Sequence, residues 1–253
     1  MKYRFSYNNS VPDLRLIGKD PCPTFINEAE IVADERRKTA KDYFESLSTD
    51  DEYLNYANTL YLDTPDVGCN GGALVYLITL AGCDNTTLSS LAGALMMHSN
   101  LLMRFEDDLV DKDRESQTTN PAADFLIQNL SVKIALATLD KLCRLLPRKY
   151  AATTSLFYHS QIAKLQAAEI NDVTLRGRLN SFDDLLENLE LKTGSQGELA
   201  GGIGSLVGFQ GEHEQVLEKA LFNIAMALGI LTNDLQDLIH DFINGLPNTI
   251  IGL

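Results

Sequence analysis

"LAGALMMHSNLLMRFEDDLVDKD", residues 91–113, decides how this chain is read. Its first fourteen positions are almost wholly apolar, and its last nine carry five acids: Glu106, Asp107, Asp108, Asp111 and Asp113. An apolar run of that length, repeating at three- and four-residue spacing, predicts a buried helix. A buried helix that ends in clustered carboxylates is costly unless something cationic sits against them. In a helix, Asp107 and Asp111 stand one turn apart on one face with Asp108 beside them, so three carboxylates can converge on one point. Two readings follow from these residues: a solvated helix end helped by Lys112 and Arg114, or an oxygen site for a divalent cation.

The same periodicity recurs along the chain. Residues 30–47, "EIVADERRKTAKDYFESL", 122–146, "AADFLIQNLSVKIALATLDKLCRLL", 152–170, "ATTSLFYHSQIAKLQAAEI", and 214–241, "EQVLEKALFNIAMALGILTNDLQDLIHD", all read as helices. Short breakers lie between them: "DTPDVGCNGG" at 63–72, "GCDNTT" at 82–87, "ESQTTNP" at 115–121, "LPRKY" at 146–150, "RGRLNS" at 176–181 and "GFQGEH" at 208–213. No alternating strand of convincing length interrupts the pattern, and the linkers are too short to separate domains. The expectation is one all-α domain over residues 1–253, a helical bundle with a central cavity.

The last of these helices closes on a second acidic cluster, Asn233, Asp234, Asp237 and Asp241, of which the first, third and fourth are each four residues apart. Two carboxylate-rich helix ends facing across a cavity make an oxygen-only site suited to a hard cation. Hydrated Mg2+ needs only one or two carboxylates per ion, with phosphate oxygens of a ligand completing its shell. Mg2+ arriving with a diphosphate would supply the missing cation.

Composition agrees with such a ligand. Of 253 residues, 45% are hydrophobic, and 35 acids against 21 bases give a net charge of −14. That balance argues against nucleic-acid or anionic-membrane partners, which need Lys and Arg in excess. A phosphorylated ligand must then be held by metal or by a few local bases. No apolar run reaches membrane-spanning length, and "MKYRFSYNNS" lacks the apolar core of a signal peptide, so a cytoplasmic protein is expected. Cys22, Cys69, Cys83 and Cys143 show no C-x-x-C spacing and read as free thiols. His98 reads as a core histidine bonded within the bundle.

From about Gly71 onward, four motifs in order resemble those of the trans-isoprenyl diphosphate synthases (polyprenyl synthetases) and of the class I terpene synthases that share their fold. Asp107, Asp108 and Asp111 match the first aspartate-rich motif, and Gln166 and Glu169 in "LQAAE" match the Gln and acid of a later helix. "LKTG", Leu191 to Gly194, matches a Lys-Thr-Gly at a helix break, and "NDLQD" takes the place of the second aspartate motif. The resemblance implies an isoprenoid synthase bundle around a deep apolar pocket, acting as a homodimer. Several Mg2+ ions, held by Asp107, Asp108, Asp111, Asn233, Asp234, Asp237 and Asp241, would bind the diphosphate of a prenyl substrate at its mouth. Lys192 and Thr193 would meet the same diphosphate, and Gln166 would face the carbocation, although a helix-surface role accounts for this Gln equally well. Arg114 is the one base retained after the first aspartates. Phe105, with Phe157, Tyr158 and Phe222, would shape the cavity, though core packing also explains aromatics there.

Departures from that pattern shape the expected function. Chain-elongating members hold isopentenyl diphosphate with a basic Gly-Gly-Lys-Arg-x-Arg-Pro motif and an Arg-Arg-Gly. Here "GGALVYL", residues 71–77, puts Ala73, Leu74 and Tyr76 where bases would stand, and "DRESQTTNP", residues 113–121, keeps Arg114 alone. A second diphosphate without metal needs several cationic donors. The expectation is therefore ionisation of one prenyl diphosphate, followed by terpene formation or by transfer to another acceptor, as in bacterial enzymes that prenylate a signalling peptide. "NDLQDLIHD" is also similar to the terpene-synthase triad Asn-Asp-x-x-Ser-x-x-x-Glu, with Asp237 and Asp241 in its second and third positions. The alternatives are a conventional short-chain prenyl diphosphate synthase or a non-catalytic subunit of one. After Asp241 the resemblance implies a basic loop and closing helices, whereas the chain passes at once into "FINGLPNTIIGL", residues 242–253. The expectation is that a loop is omitted between Asp241 and Pro247.

Overall fold

The computed structural model describes residues 23–47, 52–64, 69–111, 121–175, 187 and 190–210. Among them the regular elements are all helical: α1 (Pro23–Ser46), α2 (Glu52–Asp63), α3 (Cys69–Cys83), α4 (Thr86–Asp111), α5 (Pro121–Leu145), α6 (Arg148–Leu175) and α7 (Ser195–Gly208). A π-helical turn, Glu190–Gly194, leads directly into α7. The four helices read from periodicity in this region correspond to α1, α4, α5 and α6. α2, α3 and α7 lie outside the helices read from periodicity. Gly71 and Gly72 of "DTPDVGCNGG" do not break the chain, because α3 already begins at Cys69. The "SQGELAGGIGSLVG" stretch, glycine-rich and without a periodic stripe, forms α7.

Local chemistry sets the boundaries. α5 starts on Pro121, whose fixed φ suits a first turn and whose missing N–H costs nothing there. Between α3 and α4 only Asp84 and Asn85 intervene. Asp84 takes a left-handed φ of 47°, a conformation Asp tolerates better than most side chains. Its N–H closes α3 onto Leu80 O at 2.9 Å, and Asn85 Oδ1 accepts the Leu88 N–H at 3.1 Å, capping α4. So short a turn makes α3 and α4 antiparallel neighbours.

α4 is the centre of the bundle. Every residue from Leu88 to Ser99 is buried, and α1, α3, α5, α6 and α7 all pack against it. One apolar cluster joins α4 to α3, α5, α6 and α7 through Val75, Leu95, Leu139, Leu165 and Ile203. A second joins it to α1, α2 and α5 through Ala40, Tyr61, Leu101, Phe105 and Ile134. Where α3 meets α7 the backbones nearly touch: a Cβ added at Gly208 would lie 2.8 Å from the Thr79 Cα. Only glycine allows that approach.

Ser89 and Ser90 of α4 bond to carbonyls of their own first turn, whereas His98 is paired with other helices. His98 is fully buried, with Nε2 2.8 Å from Thr39 Oγ1 on α1 and Nδ1 2.7 Å from the Tyr61 hydroxyl on α2. The Thr39 hydroxyl donates to the carbonyls of Glu35 and Arg36 at 2.9 and 3.0 Å, so it accepts from Nε2–H while Tyr61 donates to Nδ1. Both ring nitrogens are thereby satisfied in the neutral tautomer, as expected of a core histidine. Cys83 and Cys143 are free thiols. No described helix is long and apolar enough to cross a membrane.

Burial, helped by the nearby Arg36 charge, pulls the His98 pKa from 6.5 down to about 3. The unfolded chain takes up this proton below 6.5 and the folded chain resists it, so stability is complete above that value and is lost as pH falls towards about 3. Between those limits the denaturant midpoint of the native protein is expected to drop more than that of His98→Gln. Parallel pH profiles would show that His98 is not held neutral by the fold.

Candidate functional site

α4 stays helical through Asp111, so the first acidic motif occupies the final turns of the central helix. Asp107 and Asp111 share one helical face, with Asp108 adjoining it. The side chains from Asp107 to Asp111 lie outside the described residues. The neighbouring positions are described and fix the surroundings of that helix end. Phe105 is buried on the α1–α2–α5 side of α4 and packs against Tyr61 with ring centroids 6.2 Å apart. Glu106, next along, turns to α6.

Two hydrogen bonds set the register of α6 on α4. Ser99 Oγ donates to Leu95 O at 2.8 Å, and the buried Tyr158 hydroxyl lies 3.0 Å from Ser99 Oγ. With its own proton committed, Ser99 accepts from Tyr158. Burial raises the Tyr158 pKa to about 12, keeping the phenol protonated. Farther along, Gln166 Nε2 donates to Glu106 Oε1 at 2.8 Å. Contacts that advance from residue 99 to 106 on α4 and from 158 to 166 on α6 make these helices parallel.

α7 runs the opposite way. The Phe157 ring lies against Gly202, while Lys164 Nζ reaches back to Glu198 Oε2 at 3.1 Å. Rising sequence on α6 therefore meets falling sequence on α7. The N-terminus of α7, and the π turn before it, stand at the end of the bundle where α4 carries Asp107, Asp108 and Asp111. That turn contains "LKTG". Leu191 is exposed and Gly194 buried, and Gly194 passes into α7 with φ −59° and ψ −41°. The side chains of Lys192 and Thr193 lie outside the described residues. Glu169 is buried, one turn beyond Gln166 on α6.

Three of the four motifs, on α4, α6 and the π turn, thus share one end of the bundle. Arg114, Phe222, Asn233, Asp234, Asp237, Asp241 and the segment from Asp241 to Pro247 lie outside the described residues. Among the described residues no group of three or more His, Cys, Asp or Glu could hold a metal ion. The "GGALVYL" stretch is internal to α3, with Ala73 and Tyr76 buried and Leu74 exposed. None of these three side chains can donate to a diphosphate as a base would. The partner of Gln166 was not singled out from sequence: Glu106 stands beside Asp107, but its pairing depends on where α6 lies. No family model matches the chain, and no curated protein or solved structure shows significant similarity to it.

Tyr158→Phe is expected to leave the helical content unchanged and to cost about 1 kcal/mol, the usual worth of one buried hydrogen bond. Denaturant unfolding followed by circular dichroism measures it. An unchanged midpoint would mean that the Ser99 contact does not hold the α4–α6 register.

Proposed function

We propose that this chain is a Mg2+-dependent enzyme that ionises an allylic prenyl diphosphate. The prenyl cation then forms a terpene or passes to an acceptor other than isopentenyl diphosphate. The observation that supports this reading is the shared end of α4, α6 and the π turn, which brings the helix positions of Asp107, Asp108 and Asp111, the Gln166 amide and the Lys-Thr-Gly turn to one end of the bundle. The same reading makes the fold an isoprenoid synthase bundle with a central apolar cavity, and the active species a homodimer.

The donor set fits a hard cation, since Asp107, Asp108 and Asp111, with Asn233, Asp234, Asp237 and Asp241, offer oxygen alone. Mg2+, when bound, would supply Lewis-acid neutralisation of the departing diphosphate. The chain's own residues do the rest. Lys192 places a point charge on the diphosphate oxygens and Thr193 donates a hydroxyl, orienting the leaving group. The Gln166 amide offers its carbonyl dipole to the positive charge that develops on the prenyl carbon. Apolar side chains along the bundle interior accommodate the tail and keep water from the cation.

Chain elongation fits the chain less well, because Ala73, Leu74 and Tyr76 replace the bases that would hold a second, metal-free diphosphate. The test uses radiolabelled geranyl, farnesyl and geranylgeranyl diphosphates with Mg2+, with and without isopentenyl diphosphate. Diphosphate release with a hydrocarbon or alcohol product is expected, and no isopentenyl unit is incorporated. A lengthened diphosphate would restore the elongating synthase, and no turnover of any substrate would remove the proposal.

Asp107→Ala and Asp237→Ala are each expected to lower turnover at least about a hundredfold with helical content intact. Asp124→Ala, away from both clusters in sequence, should do far less. Full activity in either cluster variant would exclude the metal-assisted mechanism.

A further inference from the structure

The bond between Gln166 and Glu106 carries a consequence for the amide that the motif residues alone do not reveal. Gln166 is half-buried between α6 and α4, and its Nε2 lies 2.8 Å from Glu106 Oε1. A carboxylate can only accept, whereas a primary amide has one donating and one accepting pole. Facing Glu106, the amide must present its NH2 group and turn its carbonyl oxygen the other way. A neutral glutamine without such a partner flips between two orientations of similar energy. Only one of these offers oxygen to a developing cation, and the other offers positive N–H groups.

We infer that Glu106 is a positioning residue, fixing the Gln166 amide so that its carbonyl oxygen is the pole presented to the prenyl cation. This inference rests on the proposed reaction. It adds a role for the acid that precedes the first aspartate, one separate from metal binding. Placement explains how a single residue does this. Glu106 is rigid on the central helix, about 100° around it from Asp107, so it can face α6 while the aspartates face elsewhere. The preorganised dipole then needs no reorientation as charge develops.

The test is a double-mutant cycle between the two positions, at saturating Mg2+. Glu106→Lys substitutes a donor-only group that keeps an inter-helix hydrogen bond but calls for the amide carbonyl, inverting Gln166. Its kcat is expected to fall about tenfold or more, with KM little changed and the melting temperature held. Glu106→Gln, which can bond in either sense, should fall only about twofold, since half the amides stay correctly turned. In a Gln166→Met background the Glu106→Lys substitution should have almost no further effect on kcat, because the group it acts through is gone.

Side-chain amide resonances in 15N-glutamine-labelled protein give a readout apart from turnover. The Gln166 NH2 signal should shift when Glu106 is replaced by Lys. Independent, additive losses in the cycle, or an unmoved Gln166 amide signal, would overturn the positioning role while leaving the proposed reaction in place. Wild-type protein that releases no diphosphate from any prenyl substrate would overturn both.

Discussion

The structure depends on burying α4 on all sides. From Leu88 to Ser99 every residue of this helix is buried, five other helices surround it, and its His98 and Ser99 side chains find partners among them. An unmet buried polar group costs more than a met one gains. That asymmetry makes the polar positions of α4 register marks. His98 is served from α1 and α2, and Ser99 from α6. Sliding α6 by one turn would strand the Tyr158 hydroxyl in an apolar interior. Apolar packing brings these helices together, while the hydroxyl and imidazole contacts choose which residues meet.

α4 was legible as a long apolar run, and α1 because its burial is one-sided. α1 has an exposed face carrying Asp34, Arg37, Lys38 and Lys41, so its apolar spacing contrasts with charge and can be read directly. α7 has no such contrast, being buried along nearly its whole length, and its glycines imitate a loop. The same confusion hid α3. Gly71 and Gly72 look like punctuation, yet a Cβ at Gly72 would meet Met97 at 2.8 Å and the Gly93 carbonyl at 3.0 Å. Glycine there serves the close approach of two helices rather than a turn.

The candidate site divides along a similar line. Asp107, Asp108 and Asp111 could be picked out because their type and spacing suggest chemistry, whereas Gln166 and Lys192 were marked only by a motif resemblance. What brings α4, α6 and the π turn to one end is helix direction, a property of pairings such as Ser99 with Tyr158 and Lys164 with Glu198. Those residues look like ordinary helix-surface or core positions in the sequence. Glu106 could be recognised as an acid, but its orientation towards α6 and away from the Phe105 cluster emerges only from the packed helices.

Charge adds a last constraint on how such a site can take an anion. With a net charge of −14, the protein's long-range field repels a diphosphate. Several bases are also occupied locally: Lys141 lies against Glu35 and Asp42, Lys164 against Glu198, and Arg144 against Asp140. On the proposed reaction, attraction would therefore act at short range, through cations carried with the ligand and through the Lys-Thr-Gly turn. Such a site is selective in a way that a basic cleft is not. On the proposed reaction, an anion that cannot bring and share divalent ions would meet the carboxylates at the end of α4, and the acid cluster that is costly without a cation would become the means of rejecting it.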